Sequence, residues 1–176
     1  MWLIWLLSLI NIYDYSAADH YSPSIVVVGS INADIIVPAD RMPVEGETLV
    51  TADNAAAGRV ITGGKGANQA VAVQRLGIPT RFVGRFGSDH FAKNLKATME
   101  ENEVDISACE TSSKSSGIGL VFLRQDGSVS ALVIPGANTD WPDETELRAS
   151  ARALVATDKG ENSPASIACI MLQCEI

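Results

Sequence analysis

The feature that most constrains the fold is a glycine-rich heptapeptide at residues 63–69, Gly-Gly-Lys-Gly-Ala-Asn-Gln. Glycine adopts φ > 0 without strain and carries no Cβ, so this backbone can approach a bound molecule closely. Apolar residues then recur at three- and four-residue spacing, which predicts a helix that ends near Gly77. A glycine turn that opens a helix directs backbone N–H groups toward a phosphate, an alkoxide or sugar hydroxyls. The heptapeptide is therefore interpreted as a ligand-binding turn.

Two common nucleotide-binding motifs do not fit this heptapeptide. A Walker A loop has a glycine five residues before its Gly-Lys pair and a Ser or Thr after it, where this chain has Arg59 and Gly66. A dinucleotide-binding fingerprint that begins at Gly64 needs its third glycine at the position of Gln69. A plain glycine turn without a ligand stays open as the alternative for the heptapeptide taken alone.

Two polar residues follow the first strand of the predicted sheet. Residues 25–28, Ile-Val-Val-Val, are a β-branched run ended by Gly29, which predicts a central strand buried on both faces. Asn32 and Asp34 come just after its carboxyl end, where open α/β sheets bind their ligands. Asp34 can accept hydrogen bonds from two neighbouring sugar hydroxyls, while a capping or turn role is the alternative for an aspartate considered alone.

The remaining pattern predicts an alternation of strands and helices. Strands are predicted at residues 35–37, 48–51, 81–84 and 167–173, a β-hairpin at 117–123 and 129–134 with a turn at 125–127, and helices from about His90 to Glu101 and from Pro142 onward.

Five motifs occur in order along the chain. They are GSINAD at 29–34, PVEGET at 43–48, GGKGAN at 63–68, GRFGSD at 84–89 and PGAN at 135–138. Together they resemble the N-terminal half of the ribokinase-type enzymes in the PfkB carbohydrate kinase family, and the resemblance runs from about Ile25 to Glu175.

The resemblance implies an α/β, Rossmann-like three-layer ribokinase fold with a small β-sheet lid. The partial kinase domain is expected at residues 25–176, with lid segments at about 35–62 and 117–135. The sequence by itself shows only hairpins in these segments, and an edge of the main sheet is the alternative. Two loops, at 53–61 and 158–164, are longer than is usual in the family.

The resemblance also implies a site and an activity. The activity is ATP-dependent phosphorylation of D-ribose to ribose 5-phosphate in the cytoplasm. ATP, Mg²⁺ and a monovalent cation such as K⁺ are the cofactors expected of the full-length family, and the lid is expected to pair with a second subunit in a homodimer. The residues expected around one sugar are Asn32, Asp34, Gly64, Lys65, Asn68 and Glu175.

The catalytic half of the family is not recognisable in this chain. The Gly-Ala-Gly-Asp motif, whose aspartate is the general base in the resembling enzymes, does not occur in the sequence. Phosphoryl transfer depends on positioning, metal ions and charge stabilisation. We therefore expect the C-terminal half to be missing, assign no catalytic residue, and expect the chain to retain mainly the sugar-binding half. The alternative is a truncated, non-catalytic sugar-binding or dimerising protein.

Composition argues against several other classes. The net charge is −8, and the 13 Lys and Arg residues are spread along the chain, which disfavours a nucleic-acid partner. The three cysteines, Cys109, Cys169 and Cys174, form no Cys-x-x-Cys motif, so they are interpreted as reduced thiols and no metal site is assigned.

The N-terminal residues 1–24 contain a short apolar run. No Lys or Arg precedes it, and it is shorter than the ~20 apolar residues that span a bilayer. We interpret the segment as an extension outside the fold, with no membrane partner. A weak signal peptide and an organelle-directing segment are the alternatives.

Overall fold

The computed structural model describes residues 24–51, 57–141 and 167–173 of the 176-residue chain. These residues form a mixture of strands and helices, as the hydrophobic pattern predicts. They are β1 (Ser24–Val28), β2 (Asn32–Pro38), β3 (Val60–Gly63), α1 (Lys65–Arg75), β4 (Thr80–Val83), β5 (Arg85–Phe86), α2 (His90–Glu101), β6 (Glu110–Thr111), β7 (Gly117–Leu123), β8 (Val129–Ile134), a short 3₁₀ helix (Gly136–Thr139) and β9 (Ile167–Leu172).

The main sheet is parallel and has the order β4-β1-β9. β1 lies in the centre, and Val26 and Val27 are buried, which confirms the predicted central strand. α1 packs against β1 and β4. The apolar core beneath it includes Phe82, Phe86 and Met99.

A second sheet has the order β3-β2-β7-β8. β2 pairs antiparallel with β3 and parallel with β7, and β7 and β8 form the predicted hairpin. Gly127 in the hairpin turn has φ +82°, a left-handed conformation that glycine adopts without strain. This sheet is called the lid sheet below. It is separate from the main sheet, so the alternative in which the hairpins extend the main sheet is wrong.

The strand predicted at 48–51 is wrong. These residues have no regular secondary structure, and the side chain of Val50 is 88% exposed. Val60–Gly63 occupies the edge of β2 in their place, with Gly63 opposite Asn32. The residues just before them form a local turn, in which the Glu47 backbone N–H donates to the Val44 carbonyl at 3.0 Å.

The two α-helices of the described residues have the boundaries that the sequence predicts. α1 stops at Arg75, and Gly77 follows with φ +81°, which is the usual glycine stop. α2 begins after Asp89, whose side chain accepts a hydrogen bond from the Ala92 N–H. Within the described residues, no helix is long and apolar enough to span a membrane.

Several predictions concern residues outside the described part of the chain and stay predictions. They are the N-terminal extension up to residue 23, the helix from Pro142, the loop at 158–164 and the sugar contact from Glu175.

Candidate functional site

Asn32 and Asp34 project from the same face of β2, because side chains alternate along a strand. The residues opposite them on the neighbouring strands are mostly glycines. Asn32 faces Gly63 of β3 and Gly117 of β7, and Asp34 faces Gly119 of β7. The two polar side chains thus lie beside three glycines, Gly63, Gly117 and Gly119, which are called the glycine floor below.

The glycine floor leaves room for the two polar groups. A Cβ on Gly63 or on Gly119 would overlap the Asp34 carboxylate. A Cβ on Gly117 would overlap the Asn32 amide. Any larger residue at these three positions would therefore push a polar side chain out of place.

The glycine turn packs against the short connection between β1 and β2. Gly64 has φ +89°, and a Cβ there would lie 2.7 Å from the Ser30 carbonyl oxygen. A Cβ on Gly66 would lie 2.7 Å from Gly29 Cα, and the Ala67 N–H donates to Ser30 at 3.0 Å. The start of α1 is consequently held beside the chain segment that leads into Asn32.

Lys65 and Asn68 lie in the first turn of α1. They are three residues apart, so they share a face of the helix, and both are exposed. The structure thus brings Asn32, Asp34 and Gly64 together through the glycine floor, with Lys65 and Asn68 on the helix that starts at its edge. Glu175 is the one predicted contact that falls outside the described residues.

Burial raises the pKa of the Asp34 carboxyl above its ordinary value of 3.8. A half-buried carboxylate loses hydration, which disfavours its charged form unless donors replace the water. Hydroxyl groups of a bound ligand would supply such donors. A bound molecule with hydrogen-bond donors would therefore favour the charged form of Asp34.

Asn138 belongs to the PGAN motif but is not among the predicted site residues. Its Nδ2 donates to Asn32 Oδ1 at 2.8 Å and to the Ile31 carbonyl at 3.1 Å. Its Oδ1 accepts from the Ile31 N–H at 2.9 Å. These bonds join residues more than 100 positions apart in the sequence, so no local pattern indicates them.

Asp89 of the GRFGSD motif was also not predicted to have a role. Its carboxylate accepts from the Ser116 N–H at 2.8 Å and from Ser116 Oγ at 2.7 Å, in addition to Ala92. Partial burial by itself would raise the pKa of Asp89, but these hydrogen bonds outweigh it and the pKa is lowered. Asp89 thereby fixes the start of β7, next to Gly117 of the glycine floor.

The sequence model of the pfkB family carbohydrate kinases matches residues 22–168. The chain belongs to this family. It is 39% identical over 132 residues to a ribokinase of Arabidopsis thaliana, an alignment that covers 73% of this chain and 34% of the relative. It is 38% identical over 115 residues to a deoxyribokinase of Salmonella typhi, covering 65% of this chain and 36% of the relative.

A solved structure also resembles this pfkB chain. Arabidopsis thaliana ribokinase complexed with ribose and ATP aligns with a TM-score of 0.60 at 30% identity, covering 89% of this chain and 55% of that one. The predicted family and the ribokinase-type α/β fold are thus confirmed. The chain spans about a third of the length of the two curated relatives above.

The described residues of this pfkB chain include no group of three or more His, Cys, Asp and Glu side chains that could hold a metal ion. A cavity of about 520 Å³ lies at the opposite end of β2 from Asn32. It is lined by Pro38, Ala39, Asp40, Arg41, Leu49, Val50, Thr51, Leu123, Arg124 and Gln125. This cavity is distinct from the glycine floor.

Proposed function

We propose that this chain forms the sugar-binding part of a ribokinase-type kinase, which transfers the γ-phosphate of ATP to D-ribose and yields ribose 5-phosphate. The observation that carries the proposal is the pair of Asn32 and Asp34 on the glycine floor, beside the start of α1. Support comes from the Arabidopsis relative, whose structure was solved with ribose and ATP. We propose the cytoplasm as its compartment.

The site residues suit a pentose for simple chemical reasons. An ionised Asp34 accepts hydrogen bonds from two adjacent hydroxyls, and an amide at Asn32 adds a third contact. The glycine floor gives the Asn32 and Asp34 side chains the space that they need to contact the sugar. We propose that Lys65 and Asn68 contact the sugar from the first turn of α1, that Gly64 contributes its backbone, and that Glu175 completes the site.

The chemical step requires more than these residues. Phosphoryl transfer needs a positioned nucleotide, metal ions and stabilisation of charge on the transferred group. We assign no catalytic base to the described residues, and they offer no cluster for Mg²⁺. ATP, Mg²⁺ and a monovalent cation remain the cofactors that we propose for the complete enzyme, as the family resemblance implies.

The second candidate is a non-catalytic protein that binds a sugar or dimerises through the lid sheet. One observation favours it. On the face of the lid sheet opposite Asp34, Val60, Leu132 and Ile134 are 47%, 54% and 47% exposed. A second copy of the chain could bury these side chains, because exposed apolar groups commonly mark an interface, although the Asp34 face also has exposed apolar side chains such as Val133.

The sugar-binding proposal is tested by calorimetric titration of the purified 176-residue chain with D-ribose and with 2-deoxy-D-ribose. We expect D-ribose to bind, Asp34→Ala to abolish the binding heat, and Asp40→Ala to keep it, because Asp40 lies at the far end of the lid sheet. Tighter binding of 2-deoxy-D-ribose would favour a deoxyribokinase-like substrate. No heat with either sugar would contradict the proposal.

Two further measurements separate the two candidates. Robust ATP-dependent phosphorylation of D-ribose by the purified chain would contradict the non-catalytic alternative. Sedimentation velocity tests the lid interface, where we expect Leu132→Asp to convert a dimer to a monomer. Leu76→Asp is the matched control, because Leu76 is 78% exposed at the end of α1 and lies outside the lid sheet. A monomeric wild-type chain would contradict the dimer.

A further inference from the structure

The orientation of the Asn138 amide is set by the backbone of Ile31. An N–H group can only donate, so the atom 2.9 Å from the Ile31 nitrogen must be the acceptor, Asn138 Oδ1. A carbonyl oxygen can only accept, so the atom 3.1 Å from the Ile31 oxygen must be the donor, Asn138 Nδ2. Reversing the amide would oppose donor to donor and acceptor to acceptor. The main chain therefore permits one orientation.

The Asn138 amide in turn sets the orientation of the Asn32 amide. The Nδ2 donor of Asn138 lies 2.8 Å from the Asn32 side chain, and the atom that faces it must accept, which makes it Oδ1. A reversed Asn32 would place two NH₂ groups in contact. The acceptor end of Asn32 is thus occupied by Asn138, and the donor end, Nδ2, is the end available to a ligand.

We infer that Asn138 is a positioning residue for the sugar site, which rests on the proposed function. It makes Asn32 a donor toward the ligand, although an asparagine side chain can in principle offer either end. Asp34, two residues further along the same face of β2, offers only acceptors when ionised. The site therefore presents one donor and one carboxylate side by side. It selects a ligand whose hydroxyl oxygen accepts at Asn32 while an O–H donates to Asp34.

Packing keeps Asn138 in place. A Cβ on Gly117 would overlap the Asn138 amide as well as the Asn32 amide, so the pair fits closely between the strands. The 3₁₀ helix that carries Asn138 rests on residues 115–116, since a Cβ on Gly136 would lie 2.5 Å from the Ser115 carbonyl oxygen. Asn32 itself is only 7% exposed. The hydrogen-bonded amides of Asn138 and Asn32 are therefore held in place by the residues packed around them.

Selectivity follows from the fixed donor. A ligand that places an ammonium group at Asn32 would oppose donor to donor and leave both groups without a partner, which binding sites reject strongly. We expect at least one amino sugar that replaces the contacted hydroxyl to bind at least tenfold more weakly than D-ribose, because an unpaired charged group costs more than a neutral hydrogen bond contributes.

The test compares Asn138→Asp and Asn138→Ala in the 176-residue chain by calorimetric titration with D-ribose. Asn138→Asp keeps an acceptor for the Ile31 N–H but replaces the Nδ2 donor with an acceptor that faces both the Ile31 carbonyl and Asn32, so Asn32 should turn its own donor toward the new carboxylate and away from the sugar. We expect about tenfold weaker binding. Asn138→Ala removes the hydrogen bond to Asn32 and lets the Asn32 amide take either orientation, so we expect about twofold weaker binding. Because the new carboxylate oxygen also opposes the Ile31 carbonyl, the loss of affinity supports the positioning role only if an Asn32→Ala background removes the loss and thermal melts show an intact fold.

The coupling between the two asparagines gives a second readout. In an Asn32→Ala background, Asn138→Asp should change ribose affinity by less than twofold, because its effect passes through Asn32. One monodeoxyribose, the one that lacks the hydroxyl bound by Asn32, should bind the wild type and Asn138→Asp equally. Thermal melts of each variant report any loss of folding separately.

The outcomes distinguish the two levels of the proposal. A wild type that binds ribose and an Asn138→Asp variant that binds it equally well would overturn the positioning role alone. An equal loss from Asn138→Asp in the presence and absence of the Asn32 amide would do the same. A wild type that binds no pentose would overturn the proposed function, and the positioning role with it.

Discussion

Asp34 on the lid sheet and Asp89 before α2 are both partly buried aspartates, yet their pKa values move in opposite directions. Burial raises the pKa of Asp34. At Asp89, burial is outweighed by hydrogen bonds from Ser116 and from the first turn of α2, and the pKa is lowered. The carboxylate with protein donors is part of the scaffold. The carboxylate that is desolvated without compensating donors is the one expected to bind a ligand.

The largest effect is expected from Asp89→Ala. This change removes the N-cap of α2 and the charge-assisted bonds to Ser116, so the free energy of unfolding should fall by about 3 kcal/mol. Urea denaturation measures the loss. Asp126→Ala is the matched control, because Asp126 is exposed and accepts only within its hairpin turn. If the free energy of unfolding fell by the same small amount in both variants, Asp89 would not have the structural role described above.

A smaller and opposite effect on stability is expected from Asp34→Asn. The neutral amide is easier to desolvate than the carboxylate, so the variant should be slightly more stable than the wild type at pH 7. It should also bind D-ribose about 30-fold more weakly, because hydrogen bonds to a charged group are worth roughly 2 kcal/mol. Thermal melts and calorimetry measure the two changes. Asp40→Asn supplies the control, and lower stability together with unchanged affinity would reverse the assignment.

Gly119→Ala should weaken sugar binding about tenfold, because the new methyl group displaces the Asp34 carboxylate and costs roughly one hydrogen bond. The atom that must move is the end of a side chain, so the free energy of unfolding should change by less than about 1 kcal/mol. Calorimetry and urea denaturation test this separation. Ser130→Ala, on the exposed strand β8, is a control that should affect neither quantity. A large loss of stability would mean that Gly119 serves the fold more than the site.

The smallest effects concern pH and have opposite signs at the two aspartates. The stabilisation from Asp89 is fully present above the unfolded-state pKa of about 3.9, and it is lost as pH falls through the lowered folded pKa. The destabilisation from ionised Asp34 is absent below about pH 3.9, and it grows as pH rises through the raised folded pKa. Stability curves of the wild type and of Asp34→Asn should therefore diverge as pH rises. Curves that converge on raising pH would contradict this sign.

Local patterns predicted the elements whose partners lie nearby in the sequence. The hairpin of β7 and β8 and the helix at His90–Glu101 have the predicted bounds, because turn residues and helical spacing specify them directly. The strand predicted at 48–51 was wrong because the edge of β2 admits one partner, and tertiary pairing chose Val60–Gly63.

The candidate site could be predicted only in part. The motifs that resemble the family identified Asn32 and Asp34, and the structure brings them together on the glycine floor. The bond between Asn32 and Asn138 could not be predicted, because it spans 106 residues and depends on three-dimensional packing. Nor does the sequence distinguish a scaffold aspartate from a binding one, since the donors to Asp89 become visible only in the fold.

Residues 29–31 connect β1 of the main sheet to β2 of the lid sheet. Asn32 and Asp34 are the first and third residues of β2, directly after this connection. They share the lid sheet with Gly117 and Gly119. Any movement of the lid sheet relative to the main sheet would therefore carry Asn32, Asp34 and the glycine floor together. The Asn138 amide bonds both Ile31 in the connection and Asn32 at the start of the lid sheet, so it ties the two segments together.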